Sequence, residues 1–302
     1  MPNTISYAER YTENLDKALV QKPVTGFFTD NALRAKFIGG KIVNIPDVDM
    51  QGLGDYDRTT GFVSGTVAVA HTPYEMKMDR GRSFSIDAQD ADESGVADLA
   101  GQVLGEFMRT QVAPEVDAYV LSKLAGLAVG AAQTVTGTPA NEAMKMLQDG
   151  IIKAQDAAGY GEELVCFVDS TFWAAVCNSA ELSKQLVVSD FKKGGIDTQV
   201  KSFNGVPIMP VQGALMKSAY VFNDGKTGGQ EVGGFTPADG AKSIGLLILP
   251  KRAASLVKKV EETRMFSPKE NQTADAWKID VRLYYDLFVK KSMLKTIFAY
   301  VY

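Results

Sequence analysis

An α+β fold is predicted from three features of the chain: a long period-two segment near the end, a long amphipathic helix near the middle, and a strand-rich stretch before it that cannot bury itself. In the first, Trp277, Ile279, Val281, Leu283, Tyr285, Leu287 and Val289 share one parity, with Lys278, Asp280, Arg282, Asp286 and Lys290 between them. Such a strand spans about 40 Å. In the second, Val96, Leu99, Ala100, Val103, Leu104, Phe107 and Met108 make one apolar stripe. Val116, Val120, Leu121 and Leu124 continue it beyond Pro114, where a kink or break is expected. The rod would reach about 45 Å. Helix and strand match in length, so the stripe is expected to pack on the sheet face.

The remaining elements follow in order. Tyr7–Val20 reads as a short helix, a further helical turn from Asp30 or Asn31 runs through Ile38, and residues 41–46 read as a strand. Gly52–Asp87 is the third feature. Val63, Val67 and Val69 alternate with Phe62, Thr66 and Ala68, Tyr74, Met76 and Met78 alternate with polar residues, and Asp55–Thr60 supplies turn chemistry. This predicts a β-ribbon within residues 52–87. An isolated two-stranded hairpin is marginal in water, so a neighbouring copy of the chain is expected to cover it. Asp92 and Ser94 are candidate caps of the long helix.

From Thr138 the pattern becomes mixed α/β. Thr138-Pro139 opens a helix that Gly159 ends, Leu164–Val168 is a buried strand, and Asp169 or Ser170 caps a helix through Leu186. Asn204-Gly205 predicts a hairpin, residues 223–240 a surface loop and Ile244–Leu249 another buried strand. Beyond it the tail reads as all strand, Val257–Phe266 and then Trp277–Val289, joined by the loop Ser267–Asp275.

Composition narrows the function. The 302 residues suit one large or two modest domains, and 45% apolar content supports a core. A net charge of −4 argues against a dedicated nucleic-acid binder. No apolar run reaches membrane-spanning length, and the first residues lack the features of a secretory signal. Cys166 and Cys177 fit a reducing compartment and are expected to be small buried residues.

No catalytic, cofactor or metal site emerges, and the chain is not read as an enzyme. His71 stands alone in the ribbon without an orienting partner. No nucleophile elbow, phosphate loop or dinucleotide fingerprint occurs. Asp47–Gly52 imitates the start of a calcium loop, but position twelve is Arg58 where a glutamate is needed. Asp87, Asp90, Asp92 and Glu93 suit a helix N-terminus, and Gly101 and Gly105 suggest close backbone packing. Arg58, at the ribbon turn, and Arg80 and Arg82, at its base, offer planar forks for carboxylates across an interface.

The order of these parts resembles the major capsid proteins of tailed bacteriophages, with their HK97-type fold. The resemblance is carried by Gly52–Arg58, Asp79–Asp87, Val112–Asp117, Phe203–Pro207, Phe266–Pro268 and Tyr284–Phe288, which together cover most of the chain in the expected order. It implies an N-terminal arm over 1–51, an E-loop hairpin over 52–87 and a P-domain from 88–129 and 251–302, in which a long spine helix lies on a long β-sheet. Residues 130–250 would be the mixed α/β A-domain. It also implies a structural virion protein that self-assembles into hexamers and pentamers of an icosahedral shell around double-stranded DNA, built in the bacterial host cytoplasm. Scaffolding, portal and decoration proteins would be separate partners, contact with packaged DNA would be loose, and no membrane would be involved. Intersubunit contacts are expected at Asp55, Tyr56, Asp57, Arg58, Phe62, Arg80, Arg82, Pro268 and Lys269. Two alternatives stay open: an encapsulin-like compartment that packages a protein cargo, and an α/β enzyme.

Overall fold

The period-two run at 277–289 does form one long strand, and the strand on each side of it is drawn from a distant part of the chain. The computed structural model describes residues 23–29, 37–38, 42–93, 99–179, 186–191 and 198–302. The expected helix at Tyr7–Val20 and most of the turn before Ile38 lie outside them; Phe37–Ile38 is strand β1.

β2 (Ile42–Met50) pairs with β3 (Val67–Glu75) in antiparallel register, from Ile42 opposite Glu75 to Met50 opposite Val67. This corrects the ribbon, whose partner strand lies before residue 52. The run after β3, β4 (Met78–Asp87), pairs instead with Ala276–Val289. Burial decides the difference. Met78 and Ile86 are buried there, whereas β3 is exposed over most of its length. Gly81 lies opposite Arg282, where an added Cβ would sit 2.9 Å from the Val281 carbonyl oxygen. Gly81→Ala is therefore expected to cost about 1–3 kcal/mol through overpacking, read as a lower midpoint in urea unfolding; an unchanged midpoint would show that β4 shifts freely.

α1 (Ala88–Glu93) starts directly after β4, and the Asp87 carboxylate accepts the Gln89 N–H at 2.9 Å. Asp87 thus caps α1, in which Asp92 is an interior residue, while Ser94, the other expected cap of the long helix, lies outside the described residues. α2 (Leu99–Phe107), a π turn (Met108–Val112) and α3 (Ala113–Gly130) then form one rod. Pro114 neither breaks it nor ends it. The Ala113 N–H reaches back five residues to Met108 O, so a wider turn lies directly before the proline, which has no N–H to donate. At Gly105 an added Cβ would meet nothing within 4 Å, so it marks an open helix face rather than close packing.

α4 (Pro139–Ala158) ends at Gly159, whose φ is 93°. Thr138 makes no side-chain cap; Glu142 reaches back to its N–H at 3.3 Å. After β5 (Leu164–Asp169), α5 (Ser170–Cys177) stops well short of Leu186, and Cys177 is exposed while Cys166 is buried. Leu186 opens β6 (Leu186–Phe191), a valine-bearing strand that pairs with β7 (Thr198–Phe203). Asn204 and Gly205, with φ of 49° and 78°, turn β7 into β8 (Val206–Val211) as expected. The stretch 223–240 is a loop except for β10 (Phe235–Pro237), paired with β9 (Tyr220–Phe222).

β11 (Ile244–Pro250) completes the middle unit. β12 (Ala254–Phe266) and β13 (Ala276–Val289) form the long hairpin, with β4 on the far side of β13. The tail is not all strand: α6 (Lys291–Leu294) intervenes, and β14 (Phe298–Val301) returns to pair with β11. The six-stranded order is β14-β11-β5-β8-β7-β6. β5 and β11 are buried on both faces, which explains their unbroken apolar runs. Phe167 and Leu247 join Leu121 and Leu124 of α3 and Leu283, Tyr285 and Leu287 of β13 in one core. Cys166, Val168 and Ile248 face Leu147 and Ile151 of α4 in a second. The predicted packing of long helix on long strand is the centre of the first.

Candidate functional site

The ribbon projects from this body with an irregular tip at residues 51–66. Asp57 shapes the tip. Its carboxylate accepts the N–H groups of Thr59 and Thr60, and its backbone pairs with Gly61, whose φ is 83°. These bonds lower the Asp57 carboxyl below its ordinary value, the bond from Thr59 most. The Gln51 side-chain oxygen closes the neck by accepting the Thr66 N–H at 3.1 Å. Tyr56 and Phe62 rest ring to ring with centroids 4.9 Å apart. Leu53, Phe62, Val63, Val67 and Val69 are exposed, Phe62 to 90%. Contiguous exposed apolar groups are uncommon on the surface of a monomer.

The ribbon root is rigid. Met76, Val257, Tyr284 and Phe288 form a small core with Tyr74 at its edge. The Tyr74 hydroxyl donates to Val289 O at 3.1 Å, and the Lys77 N–H donates to Asp286 at 2.9 Å. Asp286 is fully buried, against its place among the polar residues of the alternating run. Its carboxylate also accepts from the Tyr119 hydroxyl, Lys123 and the Leu287 N–H. Burial foremost, then Asp286, raises the Tyr119 hydroxyl. Asp117 ties Val24 and Thr25 to the rod. It is buried on α3 and accepts the Val24 and Thr25 N–H groups at 3.0 and 3.1 Å and the Thr25 hydroxyl, which holds Phe27 and Phe28 in the core. Neither carboxylate was legible as special; a lone acid inside an apolar stripe, as at Asp117, was the available signal.

Arg80 is engaged within the chain. Its guanidinium meets both Glu115 oxygens, at 2.8 and 3.1 Å, and donates to Asn223 O and Gly234 O at 2.8 and 3.1 Å. It thereby joins β4, the rod and the 223–234 loop. Among the described residues Arg82 reaches only the Glu231 carbonyl, at 3.3 Å. Charge reversal at Arg80 is therefore expected to lower stability by about 2–4 kcal/mol, since charged hydrogen bonds contribute about 1.5–3 kcal/mol each. Arg82→Glu is expected to leave the urea midpoint nearly unchanged, and equal shifts for the two variants would reject this division.

Between Arg80, Arg82, the π turn and the loop lies a cleft of about 520 Å³. Asp224 orders its rim by accepting the Lys226 and Thr227 N–H groups, both at 2.8 Å, and the Thr227 hydroxyl at 2.6 Å. These bonds, the Thr227 hydroxyl foremost, lower its carboxyl to about 2. Arg58 sits exposed in the tip turn, and Pro268 and Lys269 lie in the loop joining β12 to β13, where Glu270 accepts the Ser267 N–H at 3.0 Å. The structure thus gathers Asp55, Tyr56, Asp57, Arg58 and Phe62 in one tip and sets Arg80 with Arg82 at the cleft, apart from Pro268 and Lys269. His71 is exposed on β3. Among the described residues no cluster of acids, histidines or cysteines is placed to hold a metal, and no helix is long and apolar enough to cross a membrane.

A long rod on a long hairpin, a projecting ribbon and a mixed α/β unit define the HK97-type fold of phage capsids, and solved phage capsid structures share it over nearly the whole chain. The head structure of the Helicobacter pylori bacteriophage KHP40 is similar at 11% identity and a TM-score of 0.65, over 98% of this chain and 94% of that one. The bacteriophage PhiM1 mature capsid is similar at 12% identity and 0.63, over 98% and 91%. A chain of Mycobacterium phage Che8 is similar at 13% and 0.63, over 97% and 96%. No family model and no curated protein matches the chain.

Proposed function

We propose that this chain is a structural shell protein that assembles into hexamers and pentamers of an icosahedral capsid enclosing a double-stranded DNA genome. One observation carries the reading: within a capsid fold, a rigidly rooted ribbon displays apolar side chains that no described part of its own chain covers. A second copy is the natural cover. Each subunit then grips its neighbours through several modest contacts, and linked contacts act as a high local concentration. The ribbon tip, with Asp55, Tyr56, Asp57, Arg58 and Phe62, serves as the clasp; Arg82 beside the cleft and Pro268 with Lys269 at the hairpin end serve as further contacts, and Arg80 holds the contact surface in shape. The division into arm, E-loop, P-domain and A-domain follows the same reading, with the ribbon taken as β2 and β3. Assembly takes place in the host cytoplasm and the product is the virion shell.

Electron microscopy and sedimentation of the purified protein test the reading. Closed particles, or rings of five and six subunits, are expected at high concentration. A chain that stays monomeric or dimeric under all conditions sinks it.

A further inference from the structure

We infer that the cleft between β4, the π turn and the 223–234 loop binds a small aromatic anion, a flat apolar ring system carrying one carboxylate or sulfonate. The site belongs to the single chain and is independent of the shell reading. At about 520 Å³ the cleft has the capacity of a small-molecule site. Such sites pair an apolar wall with a few convergent polar groups, and this cleft has both.

The wall comes from β4, β13 and the rod. Phe84 and Phe107 stand edge to face with centroids 4.8 Å apart, and both are only half-buried. Val281 and Leu283 of β13 also line the cleft. So does Tyr285, whose buried hydroxyl has no hydrogen-bond partner among the described residues. Burial foremost, then Glu115, raises that hydroxyl, so it remains a neutral donor for an incoming acceptor.

Charge gathers at one end. Asp79 is held by Arg282, Glu115 by Arg80 and Asp224 by its own loop, so the acids of the lining are already satisfied. Two cations remain. Among the described residues Arg82 donates only to Glu231 O, and the Lys226 ammonium makes no hydrogen bond. A Cβ on Gly225, the residue before Lys226, would sit 3.0 Å from Arg82 Nη1, and one on Gly233 would sit 3.2 Å from it. Glycine at both places gives the guanidinium its room. Arg82 and Phe84 share one face of β4, two residues and about 7 Å apart. An anionic group held by Arg82 and Lys226 therefore lies within one ring system of the aromatic pair. The planar guanidinium suits a carboxylate or sulfonate.

Fluorescence titration of the full chain with anilinonaphthalene sulfonate tests the site, with uncharged phenylnaphthylamine as the comparison probe. The sulfonate is expected to saturate at about one molecule per chain and to bind about tenfold tighter than the uncharged probe. Arg82→Gln is expected to weaken the sulfonate about tenfold while the uncharged probe and the urea midpoint stay unchanged. Phe62→Ser, at the ribbon tip, is expected to alter neither probe. Equal affinity for the two probes, or an unchanged sulfonate affinity in Arg82→Gln, overturns the site. Loss of sulfonate binding in Phe62→Ser shows adsorption to the exposed tip and overturns it as well. None of these results touches the shell reading, which particle formation decides.

Discussion

Replacing Gln51–Thr66 by an Asn-Gly turn is expected to give a folded protein that closes no shells. The turn joins Met50 directly to Val67, which are already opposite each other, so the β2–β3 hairpin keeps its register. Asp57, Tyr56 and Phe62 make their contacts within the removed loop, and the ribbon root depends on Tyr74, Met76 and Lys77 instead. Removing exposed apolar groups forfeits no burial within the chain. The urea midpoint should therefore stay within error of the parent, while micrographs under assembling conditions show no closed particles. Loss of folding would place the tip in the core, and normal particles would remove the ribbon tip from assembly.

Asp286→Ala is expected to be among the most damaging single changes in the body of the protein. It leaves Tyr119, Lys123 and the N–H groups of Lys77 and Leu287 without their acceptor. Removing one partner of a buried ion pair costs about 3–5 kcal/mol. Lys123 is 29% exposed and regains some water, which favours the lower end of that range. Because Lys77 follows the ribbon root, the loss should also free the ribbon, seen as faster amide exchange from Tyr74 to Met78. Asp286→Asn, which keeps acceptor oxygen but not charge, should lose less. A urea stability change below about 1 kcal/mol for Asp286→Ala would show that the pair adds little over a packed apolar side chain.

How much of this was legible in the chain depends on the range of the interaction. Elements written in local patterns were read well. The Asn204-Gly205 turn, the buried runs at Leu164–Val168 and Ile244–Leu249, the helix ending at Gly159 and the long strand at 277–289 each follow from a few neighbouring residues. Where the reading failed, the deciding partner was far away. Leu186 was carried into a helix, but its pairing with Phe203 makes it strand. Pro114, read as a kink or break, is a local exception: the rod runs on past it through a turn closed only five residues back. Arg80 was read as a fork for a carboxylate, and the carboxylate it meets within the chain is Glu115, together with a loop some 150 residues on.

The sequence by itself determined which residues form the rod, the long hairpin and the exposed tip, because helix and strand periods and turn chemistry are properties of adjacent residues. Only the tertiary structure decided how the strands pair. An unpaired strand edge presents the same N–H and C=O groups to any partner, so β3 finds β2 and β4 finds β13 according to which side chains the rest of the fold can bury. For the same reason Asp286, polar by position in an alternating run, ends as the buried acceptor that ties ribbon, rod and sheet together.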